Sequence, residues 1–269
     1  MTPLRIAAHA FVVVLLTALT QVGGAIYLGA LAVRRRAPYL ARRPRLGLAA
    51  AFVGLYVVAW FPVQAAAALG GRVGLPCSED GALRVAAPLY CVAHRHYVRR
   101  ELRDLARDLA RAVDERHPGT LTLALDAGFP FLDGFPLLPH LSHDDGRKLD
   151  LAFYYVGAED GGYRRGALRS PIGYWAFEEP GARERQPCRG SAGPLRWDQD
   201  WFQPLVRDDL VLDGRRLRTA LDWLARDGRA RRVLLEPHLA DRLGADRRFV
   251  RFQGCAAARH DDHFHVELR

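Results

Sequence analysis

The sequence predicts an α+β domain, a small antiparallel sheet with flanking helices, preceded by two transmembrane helices. Three observations predict it. Two long stretches near the N-terminus carry no charged side chain. The rest of the chain mixes short alternating segments with amphipathic ones. No strand–helix–strand rhythm of a parallel sheet is visible. Residues 1–71 therefore read as a membrane anchor and residues 72–269 as an extracytoplasmic domain.

The anchor comes first. Asp, Glu, Lys and Arg are absent from Ile6 to Val33 and from Leu46 to Gly71. Each stretch exceeds the roughly 20 residues a helix needs to cross hydrocarbon. Tyr27, Trp60 and Phe61 lie near the ends, as interfacial aromatics do. The intervening segment, 34–45, holds six Arg in twelve residues. So basic a short loop stays in the cytoplasm, and both termini then face the other side of the membrane. A cleaved signal peptide followed by one span is the rival reading. Against it, the first stretch is too long for such a peptide and precedes the main Arg cluster. A buried helical hairpin in a soluble protein is the other alternative.

The formal charge of +9 invites a nucleic-acid partner. Residues 1–76 hold eight Arg and no acidic residue, which leaves 31 basic and 30 acidic groups beyond them. The domain is thus nearly neutral and lacks the excess that tracks phosphates. Membrane lipid is the expected partner of the anchor, and nucleic acid is not expected. Hydrophobic residues make up 49%, enough for a core.

Four cysteines, Cys77, Cys91, Cys188 and Cys255, all lie beyond the second apolar stretch, as in an oxidising compartment. Spacing suggests Cys77–Cys91 and Cys188–Cys255, although four cysteines allow three pairings. In the domain, Val98, Leu102, Leu105, Leu109 and Val113 recur at helical steps and predict a helix from His94 to His117. Alternation predicts strands at 120–126, 149–156, 232–236 and 263–268, and a short helix at 215–226. The segment 128–139 is rich in Gly, Pro and Phe; its neighbour Asp126 and its own Asp133 suit turns or a substrate contact. Residues 157–204 form a long polar segment bearing Trp175, Trp197 and Trp201, read as a specificity element.

Five of ten histidines fall in two short segments, Pro139 to Asp150 and His260 to His265. On a strand, His263 and His265 present two imidazoles on one face. His143 and Asp150 can converge on one ion if Gly146 folds the loop back. Two His and one carboxylate, with a fourth position for water, is the ligand set of a hydrolytic zinc site.

Ser142-His143-x-x-Gly146-x-x-x-Asp150, followed far downstream by His263-x-His265, resembles the zinc peptidases related to D-Ala-D-Ala carboxypeptidases. The nearest match is the penicillin-insensitive murein endopeptidase family, through His140 and the ending His260-x-x-His263-Phe-His265. The resemblance covers about 25 residues in two motifs. It implies Zn2+ on His143, Asp150 and His265, with His263 as base or transition-state stabiliser and His260 assisting. It implies hydrolysis of an amide in peptidoglycan stem peptides or cross-links, with peptidoglycan as partner. Arg147 and Lys148 would meet a substrate carboxylate or support the site. There are departures. Those endopeptidases are soluble and exported. Lys148 stands where the carboxypeptidase branch has a small residue, and Asp262 stands where that branch has a Glu, which makes Asp262 an alternative base. The alternatives in function are a non-catalytic, membrane-anchored zinc or cell-wall-binding protein, and an interaction protein whose histidines bind no ion.

Overall fold

A computed structural model describes residues 2–190, 193, 196 and 200–269. It opens with a helical layer: α1 Pro3–Thr20, α2 Gly23–Arg36, α3 Pro38–Ala41 and α4 Pro44–Leu69. The helices α1 and α4 are long and apolar enough to cross a membrane, and only 6% and 11% of their apolar windows are buried. A core helix of a soluble protein would hide such a surface. Instead Phe61 is 76% exposed and Leu69 is 91% exposed.

The predicted first stretch, Ile6 to Val33, is not one helix. It breaks at Gln21, where φ is 65°, and α2 folds back along α1. Gly23 and Gly24 make the fold-back close. A Cβ on Gly24 would lie 2.0 Å from Thr17 Oγ1 and 2.6 Å from the Val13 carbonyl oxygen. The N-terminal end of α1 therefore lies at the same end of the layer as the Arg-rich segment. The expectation that both termini face away from that segment fails for the N-terminus.

The domain continues with β1 Arg72–Gly74, β2 Leu83–Val85, α5 Pro88–Val92, β3 Tyr97–Arg99, α6 Arg100–Arg116, β4 Thr122–Ala124, β5 Lys148–Ala152 and β6 Tyr155–Gly157. A 3-10 helix at Asp200–Leu205 precedes β7 Leu210–Leu212, α7 Gly214–Asp227, β8 Ala230–Leu234, α8 Pro237–Arg242, β9 Val250–Arg251 and β10 His263–Leu268. The architecture is α+β with small sheets. The main sheet runs β2-β4-β5-β10-β8-β9, and two-stranded sheets pair β1 with β3 and β6 with β7. Its centre is antiparallel as expected, but the edge pairs β2–β4 and β8–β9 are parallel.

Amphipathicity explains the helices. The apolar face of α6 buries Leu102, Leu105, Leu109 and Val113, each leucine contributing about 1.5–3 kcal/mol. The helix starts later than predicted because His94 takes φ 54° and residues 97–99 pair with β1. Asp213 caps α7 by accepting from the Arg215 and Arg216 amides, and Gly228 ends it with φ 81°. The predicted strand 149–156 splits, because β5 pairs with β4 and β10 whereas β6 joins β7. Cys77–Cys91 and Cys188–Cys255 are disulfides. That bond removes Cys77 and Cys91 as ligands beside His96, although the three lie close together.

Candidate metal centre

The central strand β10 sets the geometry. Its Phe264 and Val266 enter the core with Leu149 and Leu151 of β5. The opposite face of the same pair therefore carries His263, His265 and Asp150, with His265 directly across from Asp150. The loop before β5 brings His143 to them. Gly146 makes that possible: its φ is 71°, and a Cβ there would press on the Arg99 amide and the Arg72 guanidinium at 3.3–3.5 Å. Arg72 is the hub of this loop. It is 1% exposed and donates to the Phe129 carbonyl (2.5 Å), the Asp144 carbonyl (3.1 Å) and the Asp133 carboxylate.

Three ligand atoms converge. His143 Nε2 lies 3.1 Å from His265 Nδ1 and 3.2 Å from Asp150 Oδ1, and His265 Nδ1 lies 2.7 Å from Asp150 Oδ1. An overlapping triple, His140, His143 and Asp150, also has ligand atoms close enough to hold a metal ion. The hydrogen bonds fit a cation. His143 Nδ1 donates to the Ala127 carbonyl at 2.8 Å, so its Nε2 presents a lone pair to the cluster. Among the described residues His265 Nε2 has no partner within hydrogen-bond distance; it lies 3.7 Å from Glu267 Oε1, a carboxylate suited to keep the proton on that nitrogen. With its proton on Nε2, His265 would join His143 in turning a lone pair toward the carboxylate oxygen, an arrangement suited to a cation; without one, His265 Nδ1 donates to Asp150, which favours its charged form. Two histidines and a carboxylate are a donor set that zinc accepts.

Asp150 Oδ2 is held separately, by His140 Nδ1 and by the Tyr174 hydroxyl, both at 2.7 Å. Burial would raise the Asp150 pKa, but His143, His263 and His140 hold it well below the usual carboxylate range. Burial pushes His143 and His260 down, so both are neutral imidazoles. His263 goes the other way. Burial opposes its charge, yet Asp150 and Asp262 push it up to about 9. Its Nδ1 donates to Asp262 Oδ1 at 2.5 Å, and Asp262 Oδ2 accepts from the Trp175 amide at 2.5 Å. The His260 ring stands 5.0 Å from that of His263.

These side chains line a cavity of about 230 Å³ with Pro139, Leu141, Trp175 and Phe177. Trp175 thus reaches the site. Trp201 stacks edge-on against Phe202, which packs on Trp175. Trp197 lies outside the described residues. Lys148 does not line the cavity; it pairs with Asp145 at 2.8 Å and Asp144 at 3.7 Å. Arg147 does not line it either. Asp126 is engaged by Arg95 in a two-pronged pair, and Asp133 by Arg72 and Arg99. Sequence reasoning missed Tyr174 and Arg72. The Gly173-Tyr174-Trp175 run is the one sign of the former; nothing local marks the latter.

No family model matches this chain, and no curated protein matches it. Fold and geometry define an α+β domain with a His/Asp cluster that can hold a metal ion, joined to two candidate membrane spans.

Proposed function

We propose that this protein is a membrane-anchored, zinc-dependent peptidase that hydrolyses an amide bond in peptidoglycan stem peptides or their cross-links. Its domain faces the extracytoplasmic side, where the two disulfides are stable. One observation carries the reading. His143 Nε2, Asp150 Oδ1 and His265 Nδ1 lie within 3.2 Å of one another, and the Asp262–His263 pair faces the same cavity. The two segments that meet there are the two that resemble the murein endopeptidase motifs.

Zinc bound to such a set supplies Lewis acidity and makes water acidic near neutral pH. His263, which Asp150 and Asp262 favour as the imidazolium, would stand beside the attacking water as transition-state stabiliser, with Asp262 holding its Nδ1 proton. The imidazolium would donate from Nε2 to the developing oxyanion, and the proton of the attacking water ends on the leaving amine. Both Asp262 oxygens already accept hydrogen bonds, so Asp262 acts through His263 rather than as the base. Tyr174 and His140 keep Asp150 turned toward the two ligand imidazoles.

The test is mass analysis of cell-wall sacculi incubated with purified full-length protein and with His263→Ala. Wild type releases peptide products, and the variant keeps its metal but releases none. Equal product profiles overturn the reading. Metal-loaded protein that binds sacculi and cuts nothing is the binding protein instead.

A further inference from the structure

A second cavity, of about 830 Å³, lies beside the cluster and between the helical layer and the domain. That volume is in the range of about 300–1,000 Å³ typical of small-molecule sites. One side is apolar span: Leu19 of α1 with Val53, Val57 and Phe61 of α4. The three α4 side chains are 59%, 64% and 76% exposed. The lining runs along α4 from Phe52 to Phe61, about 13 Å of helix axis, against a hydrocarbon core of about 30 Å. When α4 crosses a membrane, this side of the groove opens laterally into lipid.

The other side leads to the metal centre. Pro139, His140, Tyr174 and Trp175 line both cavities. His140 and Tyr174 each hold Asp150 Oδ2 at 2.7 Å, so they are the wall between groove and cluster. The domain is apolar where it meets this opening. Leu89 and Val92 at the groove are 55% and 58% exposed, and Leu141 at the cluster cavity is 49% exposed. Apolar side chains gathered beside a site mark a surface that meets lipid or a ligand. The Arg95–Asp126 pair lines the groove in the domain, a polar limit to an otherwise hydrocarbon-like channel.

We infer that the groove receives the hydrocarbon tail of a membrane-resident amphiphile whose peptide head group lies in the metal-centre cavity. The preferred substrate is therefore lipid-anchored, ahead of free peptide or finished polymer. The fate of the head group rests on the hydrolase reading; the seating of the tail does not. The reaction is plain hydrolysis: the amide C–N bond breaks, the hydroxyl of water goes to the carbonyl carbon, a proton goes to the amine, and the tail is unchanged.

The test uses full-length protein in nanodiscs and two probes, one D-Ala-D-Ala-ended peptide carrying either an N-palmitoyl or an N-acetyl group. Binding is read by native mass spectrometry and cleavage by product analysis. The palmitoyl peptide should exceed the acetyl peptide by at least about tenfold in kcat/KM. Val57→Trp, and separately Val53→Trp, should fill the groove and remove that advantage while cleavage of the acetyl peptide stays the same. Equal cleavage of both probes, indifferent to the tryptophans, overturns the inference and leaves the hydrolase reading standing. Palmitoyl peptide that binds in a Val57-dependent way but is not cut retires the hydrolase reading and keeps the groove. Displacement of the palmitoyl peptide by plain phospholipid at equal concentration also overturns the inference, because the groove then holds bulk lipid.

Discussion

The helical layer and the face of β10 are opposite departures from an ordinary soluble surface and core. In the layer, large apolar side chains are outside: Phe61 and Leu69 are 76% and 91% exposed. On the shared face of β10 and β5, polar groups are inside: Asp150 is 0% exposed and His265 2%. Each arrangement is costly in water alone and becomes favourable in one kind of surroundings. Hydrocarbon suits the first, and a cation among the lone pairs suits the second. The lesson is that the cheapest place to read function is where burial and polarity disagree.

Breaking the second region should have the largest effect. Asp150→Ala removes the proposed carboxylate ligand and the acceptor that His140 and the Tyr174 hydroxyl share. Loss of bound metal and a destabilisation of about 3–5 kcal/mol are expected, read by elemental analysis and urea denaturation. Next come the disulfides. Cys188→Ser with Cys255→Ser opens a 67-residue separation and should cost about 4 kcal/mol. Cys77→Ser with Cys91→Ser opens only 14 and should cost about 3 kcal/mol.

The junction of the two regions is titratable. His94 and His96 pack against Trp60 of α4 at ring distances of 5.2 and 5.7 Å. Burial pushes both down to about 4 from 6.5, so the folded state prefers them neutral. The unfolded chain binds more protons between those values. Stability should be full above about 6.5 and decline as pH falls toward about 4. A pH series of denaturation midpoints checks this; His96→Gln should flatten the decline. The smallest effect belongs to Lys148→Ala, which removes a partly exposed pair with Asp145. Metal content should stay the same and stability should change by under about 1 kcal/mol.

Much of this was legible in the sequence where periodicity carries the information. The alternation of His263, Phe264 and His265 assigns one face to chemistry and one to the core, and the register with β5 delivers Asp150 opposite His265. The heptad-like leucines of α6 and the Asp213 cap of α7 are equally local signals. What was not legible depends on distant partners. Tyr174 meets Asp150 across a separation of 24 residues, and Arg72 meets Asp133 and Asp144 across more than 60. Strands of three and two residues at the sheet edges, β2 and β9, are too short to show a period. The fold-back at Gln21 was hidden because an uncharged run looks the same whether straight or turned.

The most direct test of the metal centre is elemental analysis of purified full-length protein beside His265→Ala and His140→Ala, with zinc-edge absorption spectra of each. Stoichiometric zinc in wild type and His140→Ala, with a nitrogen and oxygen shell, is expected, and near-complete loss in His265→Ala. Wild type without stoichiometric metal, or His265→Ala retaining it unchanged, would contradict a site built on His143, Asp150 and His265.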